Sequence, residues 1–337
     1  MGALRLSVVT DTLRLAQPFR IAGYVFDTAD VLVVTLDDGT HQGRGEAAGV
    51  YYLGDDLAHM RGAIEGARAA IEAGPTREEL RTILPPNGAR NAVDAALWEL
   101  EAQRTDRPVW ALAGLAAAPK PIVTTFTVSA DTPEAMAAVA RGYAYAKSIK
   151  VKLTGDLDLD LTRVAAIREA RPDVWLGVDG NQGFVVADLE ALVAGLGAHR
   201  VALLEQPLAR GCEAELEGFR SAIPIAGDES LLSLEDVGPA KGRFDVVNIK
   251  LDKCGGLTEG LLMVAEARRL GLGVMVGTMI GTSLATAPGF VLGQLADLVD
   301  LDGPTFLAAD RTPAVTYRDG TLYAGAEVWG AGGTVPA

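Results

Sequence analysis

Three carboxylates and three lysines stand at the ends of short apolar runs in this 337-residue chain. Asp179 lies in Val178-Asp-Gly-Asn181, Glu205 in Leu204-Glu-Gln-Pro207 and Asp228 in Gly227-Asp-Glu-Ser230. Lys150 and Lys152 end one further run, Lys250 another, and Asp300-Leu-Asp302 the last. Three carboxylates with no histidine or cysteine nearby offer hard oxygen ligands. That set suits Mg2+ with positions left open for water or substrate, and Mn2+ is the alternative. Lysines flanking such an ion can move a proton to and from the carbon beside a bound carboxylate. The base of such a pair must be a neutral amine at working pH. A neighbouring ammonium and a nearby dication both push a lysine pKa down, and two units correspond to about 2.7 kcal/mol.

Taken singly, each residue has a plain structural reading. Asp179 or Asp228 could cap the helix that follows a strand. Lys150 and Lys152, two residues apart, share one face, which on an edge strand would only meet water. Lys250 could pair with any acid, and Asp300 and Asp302 could be loop acids. Glu205 resists such a reading, because Pro207 follows and no helix starts there. The order of these residues along the chain favours one common explanation.

That order follows a rhythm. Apolar runs at 122–128, 148–153, 175–179, 201–205, 223–227, 246–250, 273–277 and 298–301 alternate with Ala/Leu/Glu/Arg-rich stretches such as 161–170 and 257–270. Repeated βα units with Val/Ile/Leu-rich strands predict a parallel sheet, and eight of them predict a compact (β/α) barrel; a doubly wound sheet is the alternative. In a closed ring, strands two and six lie across from one another. Lys150 and Lys152 then face Lys250 over the carboxylates of strands three, four and five. One lysine removes an α-proton, the cation stabilises the enediolate, and the other lysine returns a proton to the opposite face. Residues 1–118 read as a separate α+β domain, with strands at 3–10 and 30–37 and a turn at Asp37-Asp-Gly-Thr40. Helices are predicted at 56–73, 76–83 and 91–104, the last with an apolar stripe of Val93, Ala96, Leu97 and Leu100. Pro119 and Pro121 mark a boundary, so the barrel domain is expected at 119–311. Strand-like pieces at 314–317 and 321–323 suggest that 312–337 packs back on the first domain.

Composition narrows the class. Apolar residues make up 49% and charged residues 22%, which is globular rather than disordered. A net charge of −14 argues against a phosphate backbone as partner, so no nucleic acid is expected. Two cysteines without a CxxC and three scattered histidines exclude a disulfide framework and point away from zinc. No run reaches the ~18 apolar residues of a membrane span, and the start lacks the regions of a signal peptide, so no membrane and a cytoplasmic location are expected.

These motifs resemble the enolase superfamily in its muconate-lactonizing-enzyme subgroup. They are Lys150-Val-Lys152, Val178-Asp-Gly-Asn181, Leu204-Glu-Gln-Pro207, Gly227-Asp-Glu-Ser230 and Val247-Asn-Ile-Lys250. Within it, 91–104, 247–260 and 299–306 look most like the dipeptide epimerases of the L-Ala-D/L-Glu type. The resemblance implies a (β/α)7β-type TIM barrel under an N-terminal α+β capping domain completed by the C-terminal tail. Lys152 and Lys250 would be the acid/bases and Lys150 the auxiliary lysine. Asp179, Glu205 and Asp228 would hold one Mg2+ per subunit. Asp300 and Asp302 would bind the α-ammonium of a dipeptide, and Tyr24, Thr127 and Asn181 would also contact substrate. Cap loops near 18–27 and 50–56 would close over the substrate side chain, and a homo-oligomer is expected. Glu-specific members carry an arginine in the first loop where Tyr24 stands here, which turns the expectation toward an apolar or aromatic C-terminal residue. Rival readings are N-acylamino-acid racemisation, o-succinylbenzoate synthesis, a muconate-type cycloisomerase, a Schiff-base aldolase and a catalytically inactive binding protein. Asp300 and Asp302 argue against the first three, whose substrates present no free ammonium there. The aldolase leaves the carboxylates unexplained.

Overall fold

The computed structural model describes residues 3–21 and 24–331. The chain starts with an antiparallel hairpin of β1 (Arg5–Ile21) and β2 (Tyr24–Asp37), longer than the expected 3–10 and 30–37. Apolar alternation fades past residue 10 because the outer arm has little core beneath it: Leu15 is the one buried apolar side chain among described residues 11–21 whose burial is defined. The arm is held instead by main-chain bonds. Ala308 N donates to Arg14 O (2.9 Å) and Ala130 N to Arg20 O (3.3 Å). β3 (Gln42–Ala47) adds to β2. Helices α1 (Leu57–Gly66), α2 (Arg68–Glu72) and α3 (Arg77–Ile83) occupy the two expected helical stretches, the first of which breaks at Ala67. α4 (Gly88–Thr105) buries its predicted stripe against Leu32, Val34 and Leu36. It can do so because β3 carries glycine: a Cβ at Gly43 would meet Ala96 O at 1.9 Å, and one at Gly45 would meet Ala92 O at 2.0 Å.

After α5 (Val109–Leu112) and a short strand, β4 (Ile122–Val123), eight parallel strands follow. They are β5 (Thr125–Val128), β6 (Ser148–Lys152), β7 (Trp175–Asp179), β8 (Leu203–Glu205), β9 (Ile225–Gly227), β10 (Val246–Lys250), β11 (Gly273–Gly277) and β12 (Leu298–Asp300). Each pairs with its sequence neighbour, which is barrel order and rules out the doubly wound alternative. The ends of the sheet meet through side chains: Leu301 N donates to Thr124 Oγ1 (2.9 Å), Thr127 N to Asp302 Oδ2 (2.7 Å), and Thr125 Oγ1 to Asp300. The crossovers hold α6 (Pro133–Gly142), α7 (Leu157–Ala170), α8 (Leu189–Ala198), α9 (Leu234–Ala240), α10 (Leu251–Cys254), α11 (Leu257–Leu270) and α12 (Ser283–Gly293). The fourth crossover has only a 3-10 turn at Glu213–Leu216. The architecture is a (β/α)7β-type barrel with a separate N-terminal cap.

The run at 122–128 is not one strand. β4 pairs with β14 (Thr321–Tyr323), the partner of β13 (Thr316–Arg318), while β5 joins the barrel. Thr124 breaks the run, because its amide donates to Gly320 O (3.3 Å) and its hydroxyl serves Leu301. The chain then reaches the cap: Trp329 Nε1 donates to Arg44 O (3.0 Å) and Gly330 N to Glu99 Oε1 (3.2 Å). Residues 332–337 of the expected tail, and residues 22 and 23 of the first cap loop, lie outside the described residues. Among the described residues no helix is long and apolar enough to cross a membrane.

Candidate active site

Parallel strands in barrel order bring distant carboxylates to one rim. Asp179 ends β7, Glu205 ends β8 and Asp228 follows β9. One oxygen from each lies within 4.8 Å of the other two, and all three side chains are buried. β6 and β10 are separated by three strands in either direction round the ring. Lys152 and Lys250 therefore enter from opposite walls. Lys152 Nζ donates to Asp179 Oδ2 (2.7 Å) and Lys250 Nζ to Asp228 Oδ2 (2.7 Å). Lys150, one side-chain layer from Lys152, contacts Asp300 and lies 3.4 Å from Glu205 Oε2 and 3.8 Å from Asp179 Oδ2.

The buried charges of the rim act strongly on one another. Burial works against the Lys250 ammonium, yet the charges of Asp228, Glu205 and Glu229 outweigh it and hold the group well above the usual lysine range. Lys150 is raised likewise, with Asp300 the strongest opposing charge. Each of these amines lies against carboxylates, whose charge favours the ammonium form more than burial disfavours it. The acids show the complementary strain. Burial and then the Asp179 charge push Glu205 up to about 7. Asp228 is buried too, but Lys250 and Lys253 hold it below the usual range. Burial, then the Asp300 charge, pushes Asp302 up to about 7.

Sequence reading missed the residues that hold this ring in place. Asn248, quoted only as part of a motif, donates from Nδ2 to Glu205 Oε1 (2.7 Å). Lys253 is buried and donates to Asp228 Oδ1 (2.5 Å), Asp228 O (2.5 Å) and Asn248 O (3.1 Å). Gln206 accepts from the Asp228 and Ser230 amides (2.9 and 3.2 Å). A lysine three residues past a strand end carries no periodic signal for this role; the available hint was its place just after Lys250.

A cavity of about 590 Å3 lies between this rim and the cap, lined by Lys150, Lys152, Lys250, Asp228, Asp300 and Asp302 among others. Thr127 and Asn181 line it as well. Tyr24 does not. It is 45% exposed and stacks outside Phe26 (ring centroids 5.9 Å), whereas Phe19, Phe26, Tyr51 and Tyr52 of the cap line the cavity. Position 24 lies at the hairpin tip, one side-chain step beyond the wall.

The donor set fits a hard dication. All three donors are carboxylate oxygens, their mutual repulsion is visible at Glu205, and ammonium groups occupy Asp179 Oδ2 and Asp228 Oδ2 as cations of a kind. Buried Asn181 Oδ1 and Glu229 Oε2 have no hydrogen-bond partner among the described residues.

The profile of the mandelate racemase / muconate lactonizing enzyme N-terminal domain matches residues 3–114, and that of the enolase C-terminal domain-like family matches 132–332. The chain belongs to this family. It is 41% identical to the L-Ala-D/L-Glu epimerase of Escherichia coli (strain K12) over 323 residues, 94% of this chain and 99% of that one. Two solved structures superpose closely. An enolase-family member from Agrobacterium tumefaciens with homology to dipeptide epimerases, holding sodium and L-Ala-L-Glu, gives a TM-score of 0.93 at 37% identity, covering 97% of this chain and 100% of that one. A dipeptide epimerase from Enterococcus faecalis V583 with Mg and L-Leu-L-Tyr gives 0.90 at 27% identity, covering 98% and 99%.

Proposed function

We propose that this protein is an Mg2+-dependent dipeptide epimerase that inverts the α-carbon of the C-terminal residue by 1,1-proton transfer. The observation that carries this reading is the pair of amines, Lys152 and Lys250, on opposite flanks of one three-carboxylate cluster. The similarity to enzymes and structures of dipeptide epimerases supports it over 94% to 98% of the chain.

In this reading Asp179, Glu205 and Asp228 would hold the ion, which would supply positive charge to the substrate carboxylate. Lys152 on one face and Lys250 on the other take and return the α-proton at Nζ. Lys150 adds positive charge on the Lys152 side. Asp300 and Asp302, with Thr127 N fixing the latter, receive the substrate ammonium as two charge-assisted acceptors. Asn181, whose buried Oδ1 is unpartnered, and Thr127 line the substrate volume. Those two aspartates also separate this reading from N-acylamino-acid racemisation. A cytoplasmic setting agrees with two free cysteines. A second copy of the chain is the expected protein partner, which sedimentation would report on.

The test is incubation of the Mg2+-loaded protein with a dipeptide library in D2O, read by NMR. Deuterium is expected at the α-carbon of the C-terminal residue, and no uptake across the library would refute the assignment.

A further inference from the structure

Asp300 and Asp302 stand where the barrel closes. The ladder of β12 on β11 ends at the pair Gly277–Asp300, and on its other side β12 meets β5 through side chains. Leu301, between the two acids, lies past that ladder, and its main-chain groups are held from elsewhere. Leu301 N donates to Thr124 Oγ1 (2.9 Å), and Leu301 O accepts from Tyr317 Oη (2.6 Å). The amide belongs to the peptide plane shared with Asp300, and the carbonyl to the plane shared with Asp302. Two bonds thus fix both planes, and with them the directions in which the two carboxylates leave the chain.

Both partners belong to one small sheet outside the barrel. Thr124 directly follows β4, β4 pairs with β14, and β14 pairs with β13, which carries Tyr317. The same sheet steadies β5. The Tyr317 ring packs on Phe126 (centroids 6.0 Å), which also meets Tyr143 (5.5 Å) and Tyr145 (5.0 Å). The Phe126 side chain points opposite to those of its neighbours Thr125 and Thr127. Those neighbours serve the acids: the Thr125 hydroxyl donates to Asp300, and Thr127 N to Asp302 Oδ2 (2.7 Å). Lys150 adds a further tie to the Asp300 carboxylate. The Asp302 main chain is held on its far side, where Thr305 N donates to Asp302 O (2.9 Å), and on its near side by the bonds at Leu301.

We propose that Tyr317 is a positioning residue for the substrate ammonium, acting through the Leu301 carbonyl, and that Thr124 does the same through the Leu301 amide. The inference rests on the epimerase reading, in which Asp300 and Asp302 receive that ammonium. A cation shared by two carboxylates needs both at hydrogen-bond distance at once. Freeing either peptide plane at Leu301 lets one acid turn away from the other. The ammonium of a dipeptide is separated from the reacting α-carbon by a peptide unit and is the same group in ground state and transition state. Loss of its alignment weakens both alike and shows in KM rather than in kcat.

The experiment uses Tyr317→Phe, which keeps the ring on Phe126 and removes only Oη, in the Mg2+-loaded full chain. The probes are L-Ala-L-Glu, L-Ala-L-Leu and L-Ala-L-Phe, read by α-deuterium exchange. The N-propionyl counterpart of each, which lacks the ammonium, is measured as a competitive inhibitor. KM of the dipeptides should rise by about tenfold, while kcat and the inhibition constants of the N-propionyl compounds change by less than about twofold. A loosened barrel would instead raise KM and the inhibition constants together, or lower kcat. Either result, or an unchanged KM in a folded variant, overturns the proposal and leaves the epimerase reading intact. No exchange by the parent from these probes or from a wider library overturns both. Should Tyr317→Phe melt below the assay temperature, Thr124→Val and Thr124→Ser decide. Thr124→Val should show the same rise in KM, and Thr124→Ser, which keeps a hydroxyl, the parent value. Equal KM in those two variants overturns the proposal.

Discussion

The cap–barrel seam and the barrel rim both bury charged side chains, and the two are built differently. At the seam between cap and barrel, titratable side chains find backbone partners. Asp252 accepts from the amides of Ala48 and Gly49 (2.9 and 3.1 Å), and Arg90 donates to the carbonyls of Cys254 and Gly255 (2.6 and 3.2 Å). Glu46 accepts from the Thr282 amide and hydroxyl and from Arg311 Nε. At the barrel rim, acids meet lysines instead. Of the five buried side-chain atoms that lack a partner among the described residues, four belong to the rim and cavity wall: Tyr52 Oη, Asn181 Oδ1, Glu229 Oε2 and Asn248 Oδ1. The fifth, Arg311 Nη2, belongs to the seam, whose other groups named here are paired and fix the cap over the barrel. The rim, with four, has bonds left for an ion and a substrate.

The sharpest way to break this contrast is at the rim. Lys152→Ala and Lys250→Ala should each lower epimerisation by about 10^2- to 10^4-fold. Each variant should still wash deuterium into only one of the two substrate stereoisomers, and its melting temperature should stay close to that of the parent. Substantial turnover by either variant would remove the two-base mechanism.

The seam should answer to pH and not to metal. Asp94 accepts from the Thr258 amide (3.0 Å) and hydroxyl (2.5 Å), and burial, only partly opposed by those bonds, raises it to about 6 from an ordinary value near 3.8. A raised carboxyl favours the folded state while protonated. That contribution is complete below about pH 3.8 and is lost as pH rises through 6, amounting to about 3 kcal/mol. Asp94→Asn should therefore gain stability relative to the parent between pH 4 and 7 in urea titrations, with unchanged Mg2+ affinity. A difference independent of pH would show that this carboxyl is ionised throughout.

Metal should act on the rim alone. Mg2+ at 100 times its dissociation constant is expected to add about 2.7 kcal/mol to stability, and chelation should abolish epimerisation. Calorimetric scans with Glu205→Gln should show a smaller shift, and those with Asp94→Asn the full one. Smaller still is the effect of a residue behind the ligands. Lys253→Met should weaken Mg2+ binding by about 10- to 100-fold in titration calorimetry, because it frees Asp228 Oδ1 and its carbonyl. Unaltered affinity would make Lys253 a packing residue only.

Much of this was legible in the residues. Val/Ile/Leu runs marked the barrel strands because buried parallel strands need apolar side chains on both faces. The stripe on α4 was legible because one face of a helix must meet the cap core. The outer hairpin arm was not, since main-chain bonds to Ala130 and Ala308 hold it and these impose no side-chain pattern. Nor was the break at Thr124, where a hydroxyl caps the neighbouring strand. Tyr24 and Phe26 share a strand face two residues apart, and only the depth of the cavity tells which ring bounds it.

By itself the sequence determined which chemistry was available: three hard carboxylates, amines on strands two and six, and two acids on strand eight, because residue type sets ligand hardness and proton affinity. Tertiary structure alone decided the rest. It set which amine touches which acid, that carboxylate charges raise Lys150 and Lys250 above the usual lysine range, and that Asn248 and Lys253 brace the ligands. Those properties depend on distances of a few ångströms between strands far apart in the chain, and Coulomb energies and desolvation change steeply over that range.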